Sequence, residues 1–322
     1  MSTFTDPPLL SPNTIMATVM RAARGLGLAL PAVRTLLGHA QSEARKAKVF
    51  AGYEPAEHDV FVTTYSKSGT NWAMQMAVQI AWRGQAEFEH IHELVAWPES
   101  PLAGVVALDD PGPWERCPTG KRGIKTNIDA PFVPYSPQAT YLTVIRDPKD
   151  VLVSAYHFLS GVFDLVDDVT VEQWLELFLG PQFPAGPWPQ HTASFWEWRD
   201  RPNVAVLLFP HMKADLPAAV RKAAAAMRVE LTEAELSRVV ERCSFQWMKE
   251  HEPRFAPPRL LFTRQRATMI RAGKVAAGAE LLSDEQRARI DRWCQAELLR
   301  LGSDFPYAEV FDVVDAPDDP AG

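Results

Sequence analysis

The chain has 322 residues, 47% of them hydrophobic, which is enough apolar material for one large α/β domain or two smaller ones. A net charge of −7 with no long basic run argues against a nucleic-acid protein, while leaving room for local basic clusters that hold small anions. Cys117, Cys243 and Cys294 lie far apart and show neither CxxC nor metal-ligand spacing, so reduced thiols in a cytoplasmic protein are expected, with no metal site.

No apolar run reaches the ~18 residues of a membrane span, and the N-terminus lacks a basic leader with a clean apolar core behind it. Residues 1–48 read as a helical appendage. A helix starts around Ser11-Pro12-Asn13-Thr14, Gly25-Leu26-Gly27 and Pro31 interrupt it, and a second helical piece carries Leu36, Leu37, Arg45, Lys46 and Lys48. These two helices would pack on the domain, on a partner subunit of a homo-oligomer, or against a membrane surface. The main domain is expected over 49–311, and the Asp-, Pro- and Ala-rich tail 312–322 as disordered.

Within that domain, Val60-Phe61-Val62-Thr63-Thr64-Tyr65 is a β-branched and aromatic run that breaks at Ser66-Lys67-Ser68-Gly69. A helical pattern follows through Trp72, Met76 and Ile80. A strand, a tight loop and a helix N-terminus form an anion site, because unpaired N–H groups and the positive end of the helix dipole face one point. Lys67 adds a mobile charge, and Gly69 lets the backbone come close. GxxxxGK[ST] is absent, so the loop is not the common nucleotide P-loop.

Further on, residues 121–126 read as a short strand, and Tyr141–Ile145 as a buried strand that ends in Arg146-Asp147-Pro148, with Pro148 suited to the first helical turn. Two aromatic-rich helical pieces fill 170–200, and 203–209 is another apolar strand. Helices follow near 213–227 and 232–242. A basic, less regular stretch from Arg254 to Lys274 leads to a final helix starting near Ser283. Alternating strands and helices predict an α/β fold, a central parallel sheet with helices on both faces. The anion loop and Arg146 both fall at carboxyl ends of strands, where such sheets bind ligands.

Three stretches resemble the cytosolic-type sulfotransferases. Tyr65-Ser66-Lys67-Ser68-Gly69-Thr70-Asn71-Trp72 is similar to that family's YPKSGTTW loop. Residues 146–158, Arg146 to Phe158, resemble its RNPKDVxVSxYHF segment, and Ile270-Arg271-Ala272-Gly273 stands where it has RKG. Weaker echoes are Gly186-Pro187-Trp188-Pro189-Gln190-His191, Met212-Lys213 and residues 244–249. The resemblance implies a P-loop-NTPase-like sulfotransferase fold and the donor 3′-phosphoadenosine 5′-phosphosulfate (PAPS). It implies that Lys67, Ser68, Gly69, Thr70, Asn71 and Trp72 hold the 5′-phosphosulfate end. Arg146, Ser154, Arg271 and Gly273 would take the 3′-phosphate, with Trp72 and Phe245 stacked on adenine. Lys125 would sit beside the acceptor.

The family reads KTH where this chain reads Lys125-Thr126-Asn127, and an asparagine cannot accept a proton at neutral pH. Asp129, His191, His90 and His92 are the alternative bases. Otherwise the acceptor is acidic enough to need none, or the protein binds PAPS or its product PAP without turning it over. The family's tyrosine at the end of the third strand is Phe209 here. Phe88, Trp97, Trp114, Phe132, Tyr135, Phe158 and Phe163 suggest a small, largely apolar hydroxylated acceptor.

Overall fold

Five parallel strands form one sheet in the order β2-β3-β1-β4-β5: β1 (Asp59–Thr63), β2 (Val95–Ala96), β3 (Arg122–Thr126), β4 (Thr140–Ile145) and β5 (Val204–Leu208). The computed structural model describes residues 12–40, 42–100, 104–163, 168–181, 183, 186–256, 269–270 and 278–314. Every residue of β1, β3 and β4 is buried, the pattern of a parallel sheet covered on both faces. Alternate side chains serve two cores: Phe61, Ile124 and Tyr141 join one apolar cluster, Val60, Val62, Leu142 and Val144 the other.

The helices follow in chain order: α1 (Pro12–Gly25), α2 (Ala29–Ala40), α3 (Glu43–Val49), α4 (Thr70–Ala81), α5 (Gly112–Glu115), α6 (Pro148–Phe163), α7 (Val171–Phe178), α8 (Trp188–Trp196), α9 (Phe209–Ala214), α10 (Leu216–Ala226), α11 (Glu233–Arg242), α12 (Phe245–Glu250), α13 (Gly278–Leu281), α14 (Asp284–Arg300) and α15 (Tyr307–Val310). Met76 and Ile80 of α4 fill one core with Val220 of α10 and Val239 of α11. Val151 of α6, Trp174 of α7, Phe195 of α8 and Ile290 of α14 fill the other. Local chemistry sets several helix starts. Thr232 with Glu235 and Ser283 with Gln286 close capping boxes at α11 and α14.

β1 is central, with β3 on one side and β4 on the other, so the chain reverses its direction of travel across the sheet beside β1. Ligands of open α/β sheets bind at that crevice. Register brings the elements level: Val62 lies opposite Lys125 and Thr63 opposite Thr126, while Val60 pairs with Thr140. On the far side Val95 pairs with Gly123 and Ala96 with Ile124. A Cβ on Gly123 would stand 2.9 Å from Val95 Cγ2, so glycine is what lets β2 approach.

Three features differ from the sequence-based expectation. The N-terminal segment holds three helices, not two, because Ser42 starts α3 after the second piece ends. The strand expected to 209 stops at Leu208, since Phe209-Pro210 opens a helix with proline in its first turn. The two-residue β2 has too short a run to show any periodicity.

Candidate active site

The loop after β1 carries the site's charge. Ser68 N–H donates to Tyr65 O at 3.1 Å, and the hydroxyls of Thr64 and Thr70 meet at 2.6 Å across the loop mouth. Tyr65 is buried and donates its phenol to Gly186 O at 2.7 Å, which anchors the loop from beneath. Lys67 and Gly69 both have left-handed backbones, with φ of 68° and 103°. For lysine that conformation is uncommon and costs energy, which points to a constrained functional turn. A Cβ on Gly69 would stand 3.2 Å from the Phe209 ring. Gly69 is the N-cap of α4 and offers no side chain to its first N–H groups, so they face whatever sits above the loop. Ser68 Oγ is buried and has no hydrogen-bond partner among the described residues.

Three cations converge here. Lys67 Nζ lies 3.7 Å above the Phe158 ring and 3.4 Å from Met269 Sδ, and makes no salt bridge among the described residues. Burial, then the charges of Arg146 and Lys125, push its ammonium down to about 7. The residue as a whole is half-buried, and its amine meets a ring and a thioether instead of a carboxylate. Lys125 Nζ sits 3.2 Å from the Trp97 ring centre and is likewise pushed to about 7 by burial, with Glu99 pulling it back up. Arg146, one residue past β4, donates from Nη1 to Lys67 O at 3.1 Å, lies 3.8 Å from Asp150 and stacks 4.5 Å over Phe209. Trp188 Nε1 donates to Arg146 O at 3.1 Å, which gives the Gly186-Pro187-Trp188 echo a structural role. A lysine whose pKa is lowered by two neighbouring cations marks a candidate anion site.

Around this centre Trp72 Nε1 donates to Cys243 O at 2.8 Å, Asn71 Nδ2 reaches Phe255 O at 3.4 Å, and Ser154 is half-buried on α6. Phe245, the first residue of α12, is 46% exposed. Arg271 and Gly273 lie outside the described residues.

On the acceptor side Asn127 is bound by its surroundings. Its Nδ2 donates to Thr64 O at 2.6 Å, and its backbone N–H donates to Glu99 Oε1 at 2.7 Å. Thr126 Oγ1 donates to the same oxygen at 2.8 Å. Asp129 is fully buried and paired with Lys46 of α3 at 2.8 Å. Gln190 Nε2 stands 3.4 Å from the same carboxylate oxygen.

The comparisons with known proteins agree with one another. Residues 57–302 match the Sulfotransferase domain family. The chain belongs to the sulfotransferase family. It is 26% identical to sulfotransferase 1C2 of Oryctolagus cuniculus over 79% of this chain and 87% of that protein. It is 27% identical to the amine sulfotransferase of the same organism over 82% and 87%. In fold it is similar to retinol dehydratase in complex with androsterone and the inactive cofactor PAP (TM-score 0.67, 19% identity, 83% of this chain and 87% of that one). Mouse sulfotransferase SULT7A1 complexed with PAP gives a TM-score of 0.61 at 22% identity, covering 80% and 90%.

This sulfotransferase is therefore a PAPS-dependent transferase of sulfuryl groups. Its own residues fit such a donor, since a buried, unpartnered Ser68 hydroxyl and three converging cations are what an anionic phosphosulfate needs. The alternative bases fare differently. Burial and the Lys46 charge push His191 down to about 3, and burial with Lys125 does the same to His92, so both are neutral, weakly basic imidazoles at physiological pH. His90 Nε2 is 3.1 Å from Ala256 O and His92 Nδ1 is 2.9 Å from Val95 O, so each ring is tied to backbone. Asp129 Oδ2 is held by Lys46, while its buried Oδ1 has no hydrogen-bond partner among the described residues. Sequence reasoning did not single out Glu99 or Met269.

Proposed function

We propose that the chain binds PAPS across the carboxyl ends of β1 and β4 and transfers its sulfuryl group to the hydroxyl of a small, largely apolar acceptor. The convergence of Lys67, Lys125 and Arg146 on a loop with an unpartnered Ser68 hydroxyl carries this reading. PAPS supplies an activated sulfuryl group on a nucleotide leaving group. Lys67 and the first N–H groups of α4 neutralise charge that grows on the leaving oxygen. Arg146, with Ser154, Arg271 and Gly273, takes the 3′-phosphate, and Trp72 and Phe245 sandwich the purine. Lys125, held on the Trp97 face, orients the transferring group. Phe158 and Trp97, beside the two lysines, give the acceptor an apolar wall.

Thermal shift tests the donor. PAP is expected to stabilise the protein where ATP does not, and stabilisation by ATP alone would refute the reading. Labelled sulfate should then pass from PAPS to one member of a panel of phenols, sterols and other apolar alcohols, and Lys67→Ala should abolish it. A second reading, PAP binding without turnover, is favoured by Asn127, whose amide is committed to Thr64 O. Tight PAP binding with no transfer over the whole panel would select it.

A further inference from the structure

Segment 97–99 carries two buried polar atoms that nothing already described uses. Trp97 Nε1, a donor, and Glu99 Oε2, an acceptor, have no hydrogen-bond partner among the described residues. Buried polar groups are nearly always satisfied, and an orphaned donor and acceptor two residues apart are what a bound hydroxyl would satisfy together. Their position is not arbitrary. β2 pairs Ala96 with Ile124, and the chain that leaves both strands in the same direction brings Glu99 level with Thr126 and Asn127.

We propose that Glu99 is the general base of this sulfotransferase, standing in for the proton acceptor that Asn127 cannot be. The proposal rests on the transfer reading above. One oxygen of the carboxylate is a fixed handle. Oε1 accepts from Thr126 Oγ1 and from Asn127 N–H, so the group cannot swing away. Oε2 keeps its lone pairs for an incoming hydroxyl. The groups that face the carboxylate are Lys125, Thr126 and Asn127 from β3 and its exit, with the Trp97 indole on its own segment and the neutral His92 ring stacked on that indole at 5.4 Å. Burial raises Glu99 above the ordinary carboxylate value, while the bonds from Asn127 and Thr126 and the Lys125 charge oppose the rise, so it is more basic than a surface glutamate.

The step balances. The acceptor oxygen forms its bond to sulfur, and the bond from sulfur to the 5′-phosphate oxygen of PAPS breaks, leaving its electron pair on PAP beside Lys67. The acceptor's proton passes to Glu99 Oε2, which later releases it to solvent. Trp97 Nε1 donates to the acceptor oxygen or to a sulfuryl oxygen, having no hydrogen-bond partner among the described residues. Asn127 then has a positioning task, because its amide bonded to Thr64 O ties the exit of β3 to the donor loop.

Glu99→Gln is the test, since the glutamine carbonyl can still accept from Thr126 and Asn127 while no proton acceptor remains. Transfer from PAPS to an alcohol of the panel should fall about 10²–10⁴-fold in kcat, with PAP affinity and thermal stability held within about twofold and 2 °C. The reverse-type transfer from p-nitrophenyl sulfate to PAP removes no proton from a neutral hydroxyl, and should persist within about threefold. Thr126→Val should move the acidic limb of the kcat/KM profile to higher pH by removing a donor to the carboxylate. Wild-type alcohol transfer by Glu99→Gln, or equal loss of both directions, overturns the proposal. Wild-type protein that binds PAP but transfers in neither direction overturns the transfer reading, and this assignment falls with it.

Discussion

PAP should bind more tightly at pH 7 than at pH 8.5, and Lys67 sets the size of the difference. Burial first, then the charges of Arg146 and Lys125, bring its ammonium from 10.5 to about 7 in the ligand-free protein. A bound phosphate favours the charged form and raises that value again. A group whose pKa rises on binding contributes its full affinity below its free-state value and loses it as pH climbs through that value. With a free value of about 7 and a bound value near the ordinary one, Kd follows 1 + 10^(pH − 7), roughly a 15-fold weakening from pH 7 to 8.5. The second ionisation of the ligand's phosphates lies near pH 6 and adds little above 7. Titration calorimetry in two buffers of different ionisation enthalpy would show about half a proton taken up at pH 7 and close to one at pH 8.5. Lys67→Met should flatten the profile. A Kd constant within twofold, with no proton uptake, would refute the assignment of this charge to the donor.

Other consequences follow from the same geometry. Lys67→Met should raise the melting temperature of the ligand-free protein near pH 7 by roughly 3 °C, the shift that about 1 kcal/mol gives, because a buried cation near two others is removed. Gly69→Ala forces a Cβ against Phe209 at a left-handed φ and should cost about 1–3 kcal/mol, read as lower melting temperature and at least tenfold weaker PAP binding. Phe245→Ala should weaken PAP roughly 5- to 150-fold, the worth of one base stack, without changing ligand-free stability, since the ring is half-exposed. Asp129→Asn strands the Lys46 charge and should cost about 3–5 kcal/mol of stability, while transfer per folded molecule stays within about threefold. A hundredfold fall in that rate at unchanged stability would instead make Asp129 the base.

The parallel core, and the meeting of the Lys67 loop with Arg146 at the ends of β1 and β4, were legible because their signals are local. Val60 to Trp72 writes strand, loop and helix in one continuous stretch, and Tyr141 to Asp150 does so again. The acceptor half was not. Glu99 sits in a stretch with no periodicity of its own, and only the pairing of Val95 with Gly123 and Ala96 with Ile124 brings it to Asn127. Asn127 in place of a histidine was the local sign that a proton acceptor would have to lie elsewhere. Asp129 attracted that role by nearness in sequence. Its partner Lys46 is 83 residues earlier and on another element, a pairing no local reading reveals.

The bond between Lys46 and Asp129 also bears on where this protein can be cut. The matched family domain begins at residue 57, after α3 has ended. A border drawn by likeness to relatives would thus discard a lysine whose ammonium neutralises a fully buried carboxylate just past the acceptor-side strand. Excision at that border would leave the aspartate to bind a proton or draw in water. A chimaera that exchanges N-terminal segments between relatives would have to move the two residues together. The charge pair thus ties a residue upstream of that border to the interior of the matched domain.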